Sequence, residues 1–178
     1  IIDFFHMPEL PRELQELLIT NVTIIPFETL KIEDDDEVVK FLFGHKGEEN
    51  NVFETVLMKH HSDLTWQIKR MTVCISSQVW CDVGCTFCVT WRLWHQKNLT
   101  MADIIAQVIK VNEYVKKIRW KKDDGTLHMI RNVVFMGMGE PFLNYPNVKG
   151  TIPFLTDNNY LWLSKRRITI STSWITPI

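Results

Sequence analysis

Residues 76–94 read SSQVWCDVGCTFCVTWRLW, and the rest of the chain is read outward from this stretch. It holds Cys81, Cys85 and Cys88, spaced by three residues and then by two, with Cys74 just upstream and no other cysteine in the 178 residues. Secreted disulfide scaffolds spread their cysteines to staple distant loops, and thiols this close together staple nothing distant. The first residues, IIDFFHMPELP, carry no charged leader or small-residue cleavage site. Clustered thiols without an export signal read as metal ligation or redox chemistry in a reducing compartment, so a cytoplasmic protein is expected.

The segment entering the cysteines, MTVCISSQV (71–79), has strand character. The segment leaving them, LTMADIIAQVIKVNEYVKKI (99–118), carries Ile104, Ile105, Val108, Ile109 and Val115 at helical spacing, with Thr100 as N-cap and Asp103 three residues on. After a charged turn, RWKKDDGT, the apolar run NVVFMGMGEP (132–141) fits a buried parallel strand. A helical segment near 146–157, weakened by Pro153, precedes a third strand, RRITIST (166–172). Strand–helix–strand–helix–strand order predicts parallel βαβ units in an α/β fold. Three strands cannot close a barrel, so a C-terminal half is expected beyond this chain.

Further upstream, Pro11 opens a helix, RELQELLI, with Leu14, Leu17 and Leu18 on one face, and Pro26 closes the segment. The runs VVKFLF (38–43) and NVFETVLM (51–58), joined by GHKGEENN, predict a β-hairpin. The acidic run EDDDE (33–37) reads as a solvated loop. With 46% hydrophobic residues, 23% charged and a net charge of −1, the chain has material for one core. Near-neutrality gives no push toward nucleic acid or membrane, and no apolar run is long enough to span a bilayer.

Structural zinc sites usually present two paired motifs, giving four protein ligands. Three thiolates fit a [4Fe–4S] cluster with one iron left open to a substrate or cofactor. A zinc site made of Cys81, Cys85, Cys88 and His95 is the competing chemistry.

Four motifs in order, CISSQVWCDVGCTFCVT, NLT, VVFMGMGEPFLNY and LSKRRITISTS, resemble the RlmN/Cfr family of radical S-adenosylmethionine (SAM) enzymes, which methylate adenine in ribosomal RNA. FETVLMKH resembles the family's hairpin and MPELPRELQELL the end of its N-terminal accessory domain. The resemblance implies that residues 1–28 close that accessory helical domain, 29–66 form a β-hairpin linker region, and 67–178 form the first half of a parallel (βα) partial barrel. It assigns the cluster to Cys81, Cys85 and Cys88, and SAM contacts to Gly139, Glu140 and Ser171. A glycine admits a ligand close to the backbone, a carboxylate accepts from an ammonium, and strand C-termini are where such folds place ligands. Glu54 matches the proposed proton acceptor, and Cys74 the cysteine that acts late in the reaction.

In enzymes of this kind an electron delivered to the cluster cleaves SAM to a radical. The radical takes hydrogen from a methyl group carried on a further cysteine, and the carbon radical formed there adds to adenine C2. The resulting covalent adduct is resolved by the residue matching Cys74. The carrier cysteine is absent from this chain, so the chain alone is expected to be inactive. Implied partners are 23S rRNA, transfer RNA and an electron donor such as flavodoxin or ferredoxin; a monomer without membrane contact is expected. The basic runs Lys116, Lys117, Arg119, Lys121, Lys122 and Lys165, Arg166, Arg167 read only as solvated faces. A non-catalytic zinc module and a degenerate homologue are the alternative readings.

The chain departs from the family pattern in one direction. Trp80, Trp91, Trp94, Trp162 and Trp174 all stand where the family has glycine or another small residue, and the chain has seven glycines and seven tryptophans. An indole at a glycine position is expected to lack room, since overpacking costs about 1–3 kcal/mol per site. Some bacterial lineages read UGA as glycine where other codes read tryptophan. The expected result of sequencing the gene is UGA at all five codons, and UGG there refutes recoding. Milder departures are Lys97 for arginine and His95 for phenylalanine; Trp66 and Trp120 lie outside recognisable motifs.

Overall fold

The computed structural model describes residues 7–23, 25–48, 51–65, 67–88, 97–118, 129–159, 161, 163–173 and 175. Helix α1 (Arg12–Asn21) is followed by strands β1 (Glu28–Asp34), β2 (Val38–Gly44), β3 (Val52–His61) and β4 (Ile68–Cys74). Helix α2 (Met101–Ile118), β5 (Asn132–Phe135), α3 (Tyr145–Thr156), a 3₁₀ turn (Lys165–Arg167) and β6 (Ile168–Ile170) complete the order. All six strands form one sheet in sequence order, antiparallel from β1 to β4 and parallel from β4 to β6. The expected hairpin and the expected βαβ units are therefore parts of one surface.

Alternation explains the hairpin. Val39, Phe41 and Phe43 of β2 and Phe53 and Leu57 of β3 are buried, and the register places Phe43 opposite Phe53 and Val39 opposite Leu57. The same core takes Ile104, Val108, Val111 and Val115 from α2, a stripe at helical spacing, and Val148 and Leu155 from α3. Helix α2 starts at a reciprocal cap. The Thr100 amide donates to Asp103 Oδ2 at 2.8 Å, and the Asp103 amide donates to Thr100 Oγ1 at 3.1 Å. Helix α3 contains Pro153 without ending there.

Three expectations need correction. The acidic run is not only a loop: Glu33 and Asp34 end a strand, β1, whose residues are exposed throughout. Asp34 accepts from the buried Lys59 ammonium at 2.7 Å and from the Tyr114 hydroxyl at 2.7 Å. Burial together with the Asp34 bond pushes the Tyr114 hydroxyl up to about 12. Asp34 is thus the counter-charge that lets a lysine sit inside the sheet. The leucine face of α1 is not buried either, since Leu14 and Leu17 are exposed and Leu18 is half-buried; the buried residue of α1 is Gln15, which donates to the carbonyls of Met7 and Leu10. The third barrel strand is shorter than RRITIST, because residues 165–167 form the 3₁₀ turn.

Candidate functional site at the C-terminal ends of the parallel strands

Beyond β4 the chain does not leave the core at once. Ile75, Ser76, Ser77, Gln78 and Val79 are all buried, and only from Trp80 does exposure rise. Three polar residues inside a core call for partners, and those that Ser76 and Gln78 find tie the strand ends together. The Ser76 hydroxyl donates to the Glu54 carbonyl at 2.6 Å and accepts from the Met138 amide at 2.8 Å. Gln107 of α2 accepts from the Ser76 amide and from the Thr55 hydroxyl, and donates to the Ser76 carbonyl. Gln78 donates to Asn98 at 2.7 Å and accepts from the Glu140 amide at 2.8 Å. Asn144 donates to the carbonyls of Ser77 and Leu99.

The residues singled out in the sequence fall at this end of the sheet. Cys74 is the last residue of β4 and faces Val56 across β3, so Glu54 lies two residues further toward the same end. The Cys74 thiol is half-buried; burial pushes it up, partly offset by a hydrogen bond from the Met136 backbone. Glu54 itself is exposed, and its amide points to the Met138 sulfur at 3.3 Å. Ser171 follows β6, exposed, with its amide 3.5 Å from the Phe135 carbonyl.

Gly139 has φ +94°, and a Cβ there would stand 2.5 Å from Gln78 Cβ and 2.7 Å from the Gln78 amide nitrogen. Gly137 is equally pressed, with a Cβ position 2.7 Å from the Ile75 carbonyl oxygen. Both glycines of GMG are demanded by contact with the segment that carries the cysteines, a reason the sequence did not reveal. Glu140 is buried at 4% exposure. Its Oε1 accepts from the Phe142 amide at 3.0 Å and the Thr172 hydroxyl at 2.7 Å, and its Oε2 from the Ser173 amide and hydroxyl, both at 2.9 Å. Burial pushes its carboxyl up, but the bonds from Ser173, Phe142 and Thr172 outweigh it and hold the group below the usual value.

The cysteine loop rises above this platform. Cys81, Cys85 and Cys88 are free and half-buried, Gly84 between them takes φ +69°, and the Cys88 amide donates to the Cys85 carbonyl at 3.0 Å. The Cys81 thiol is pushed up by burial, against a hydrogen bond from the Val83 backbone, and further up by Cys88, Cys85 and Glu140. These residues are therefore electrostatic neighbours. Among the described residues no three ligating side chains converge closely enough to hold an ion as they stand. The donor set nonetheless suits a thiophilic iron–sulfur group in kind: three soft ligands, unpaired by disulfides, on one short loop. His95, the fourth ligand of the zinc alternative, lies outside the described residues, as do Trp91, Trp94, Trp162 and Trp174. At Trp80 the expected lack of room is not met, for the indole is half-buried and packs against the core.

No family model matches the chain. Among curated proteins, it is 39% identical over 175 residues to the probable dual-specificity RNA methyltransferase RlmN of Aquifex aeolicus, covering 98% of this chain and 45% of that protein. It is 47% identical over 109 residues to the dual-specificity RNA methyltransferase RlmN of Buchnera aphidicola from Schizaphis graminum, covering 61% of this chain and 28% of that protein. Among solved structures, a radical SAM methyltransferase from Sphaerobacter thermophilus superposes with a TM-score of 0.82 at 32% identity, over 98% of this chain and 47% of that one. The chain thus spans a little under half the length of relatives that match it end to end.

Proposed function

Because the chain belongs to the RlmN family, we propose that the protein it comes from is a radical SAM methyltransferase acting on adenine C2 in 23S rRNA and transfer RNA. The observation that carries this reading is the meeting, at one sheet end, of a three-thiol loop, the GMGEP turn and the Thr172–Ser173 segment, in a fold shared with a radical SAM methyltransferase. In this reading Cys81, Cys85 and Cys88 hold a [4Fe–4S] cluster, which when bound supplies the electron that cleaves SAM.

The remaining roles belong to side chains. Gly139, Glu140 and Ser171 line the SAM site. The exposed Glu54 carboxylate accepts the proton lost from adenine C2, which a group with free access to solvent can pass on. Cys74, at the tip of β4, resolves the covalent adduct. Its burial keeps it a thiol until it is needed. The methyl-carrying cysteine would come from the part of the family's length that this chain does not span, and flavodoxin or ferredoxin would supply the electron. Residues 1–28, 29–66 and 67–178 would serve as accessory domain, hairpin linker and barrel.

The test is anaerobic reconstitution of the intact protein with iron and sulfide, read by iron content and by electron paramagnetic resonance after reduction, with and without SAM. Alanine at Cys81, Cys85 or Cys88 is expected to reduce bound iron to background. Cys74→Ala is expected to keep the cluster, perturbed by SAM as in wild type, while methylation of an RNA substrate falls below detection. A protein that takes up zinc and gives no signal belongs to the zinc reading instead.

A further inference from the structure

The opposite end of the sheet carries a cavity of about 560 Å³ lined, among the described residues, by His60, His61, Lys69, Arg70, Met129, Arg131 and Arg167. These basic side chains are scattered through the sequence, and the strand register gathers them. His60, near the end of β3, faces Arg70 near the start of β4. Arg131 directly precedes β5, and its amide bonds the Met71 carbonyl at 3.1 Å. Arg167 directly precedes β6 and reaches the Asn132 side chain at 3.4 Å. Among the described residues no carboxylate lines the cavity. Among the described residues Lys69, Arg70 and Arg131 make no ion pair.

Cations this concentrated repel one another unless an anion sits among them. The His60 imidazole is pushed down by burial and by the charges of Arg70 and His61, and it pairs with the Thr72 hydroxyl at 3.1 Å. Three guanidinium groups offer the planar fork that pairs with phosphate oxygens. We propose that this basic end is a phosphate-binding site that holds the sugar–phosphate backbone of the RNA substrate away from the base being modified.

The polynucleotide identity rests on the proposed function; the anion site itself does not. An acidic electron-transfer protein suits the site less well. Its electron must reach the thiols at the other end of the sheet, and a seven-residue strand such as β4 is about 20 Å long. Phosphate contacts carry no sequence information, so the site would fix the RNA's position and leave the choice of base to the cysteine end.

The test measures binding of a labelled RNA stem-loop to the intact protein across about 50–200 mM salt. Wild type is compared with Arg70→Ala, Arg131→Ala, the double alanine variant and the double lysine variant. These side chains are exposed, so the fold should survive, and circular dichroism checks it. The slope of log affinity against log salt is expected to become shallower by about one for each arginine removed, with lysine restoring most of it. Unchanged slopes, in a wild type that binds RNA, overturn the inference while leaving the proposed function standing. Wild type that binds no RNA overturns both. Inorganic phosphate and pyrophosphate are titrated in parallel. Arginine-dependent binding of these with unchanged RNA slopes, or loss of affinity for an acidic flavodoxin alone, overturns the assignment to RNA.

Discussion

Gly139→Ala lowers the midpoint of thermal unfolding by roughly 10–15 °C, the conversion of about 3–5 kcal/mol for a domain of this size. Two costs add. Backbone at φ +94° strains any residue with a Cβ, by about 1–3 kcal/mol. The new methyl would also lie 2.5 Å from Gln78 Cβ and 2.6 Å from its Cγ, an overpacking worth about 1–3 kcal/mol. Gln78 cannot yield cheaply, because it is fully buried and its amide is fixed at both ends by Asn98 and the Glu140 backbone. Gly47→Ala is the control, with a similar φ of +75° and nothing within 4 Å of the added carbon. It is expected to pay only the backbone strain. Equal melting shifts for the two variants would show that the Gln78 contact carries no cost.

What could be read in the amino-acid order was whatever depends on near neighbours. The β2–β3 hairpin declares itself by alternation, α2 by a cap whose partners are three residues apart, and β5 by an apolar run between turn residues. The strand β1 stayed hidden because its residues are exposed throughout, so no alternation marks it, and its acidic end finds Lys59 and Tyr114 only after folding. The polar framework under the cysteine loop was equally silent. Ser76, Gln78, Gln107 and Asn144 are commonplace residues one by one, and their meaning lies in pairings across α2, the GMGEP turn and the loops. The resemblance supplied Gly139 and Glu140 as ligand contacts, whereas the fold adds a mechanical duty to each. The cationic end was missed for the same reason as the framework, since register rather than sequence proximity assembles it.

Glu140→Gln is the second large effect, and its signature is a pH dependence. A carboxylate has about four lone-pair sites, and here four protein donors occupy them: the amides of Phe142 and Ser173 and the hydroxyls of Thr172 and Ser173. A glutamine side chain accepts at one oxygen only and turns an NH₂ group toward the other two donors. The expected loss at neutral pH is about 2–3 kcal/mol, moderated because Thr172 and Ser173 keep some access to water. The hydrogen bonds hold the carboxyl below its unfolded value despite burial. Its contribution is therefore complete above the ordinary carboxylate pKa and disappears as pH falls through the lower folded value. Urea melts at descending pH should accordingly show wild type losing its advantage over Glu140→Gln on the acid side and keeping it at pH 7. A gap that stays constant with pH, or widens in acid, contradicts the clasp. The same saturation bears on the chemistry. A ligand ammonium arriving at Glu140 must displace Thr172 or Ser173, so binding there and the hold on the segment after β6 draw on the same four acceptor sites.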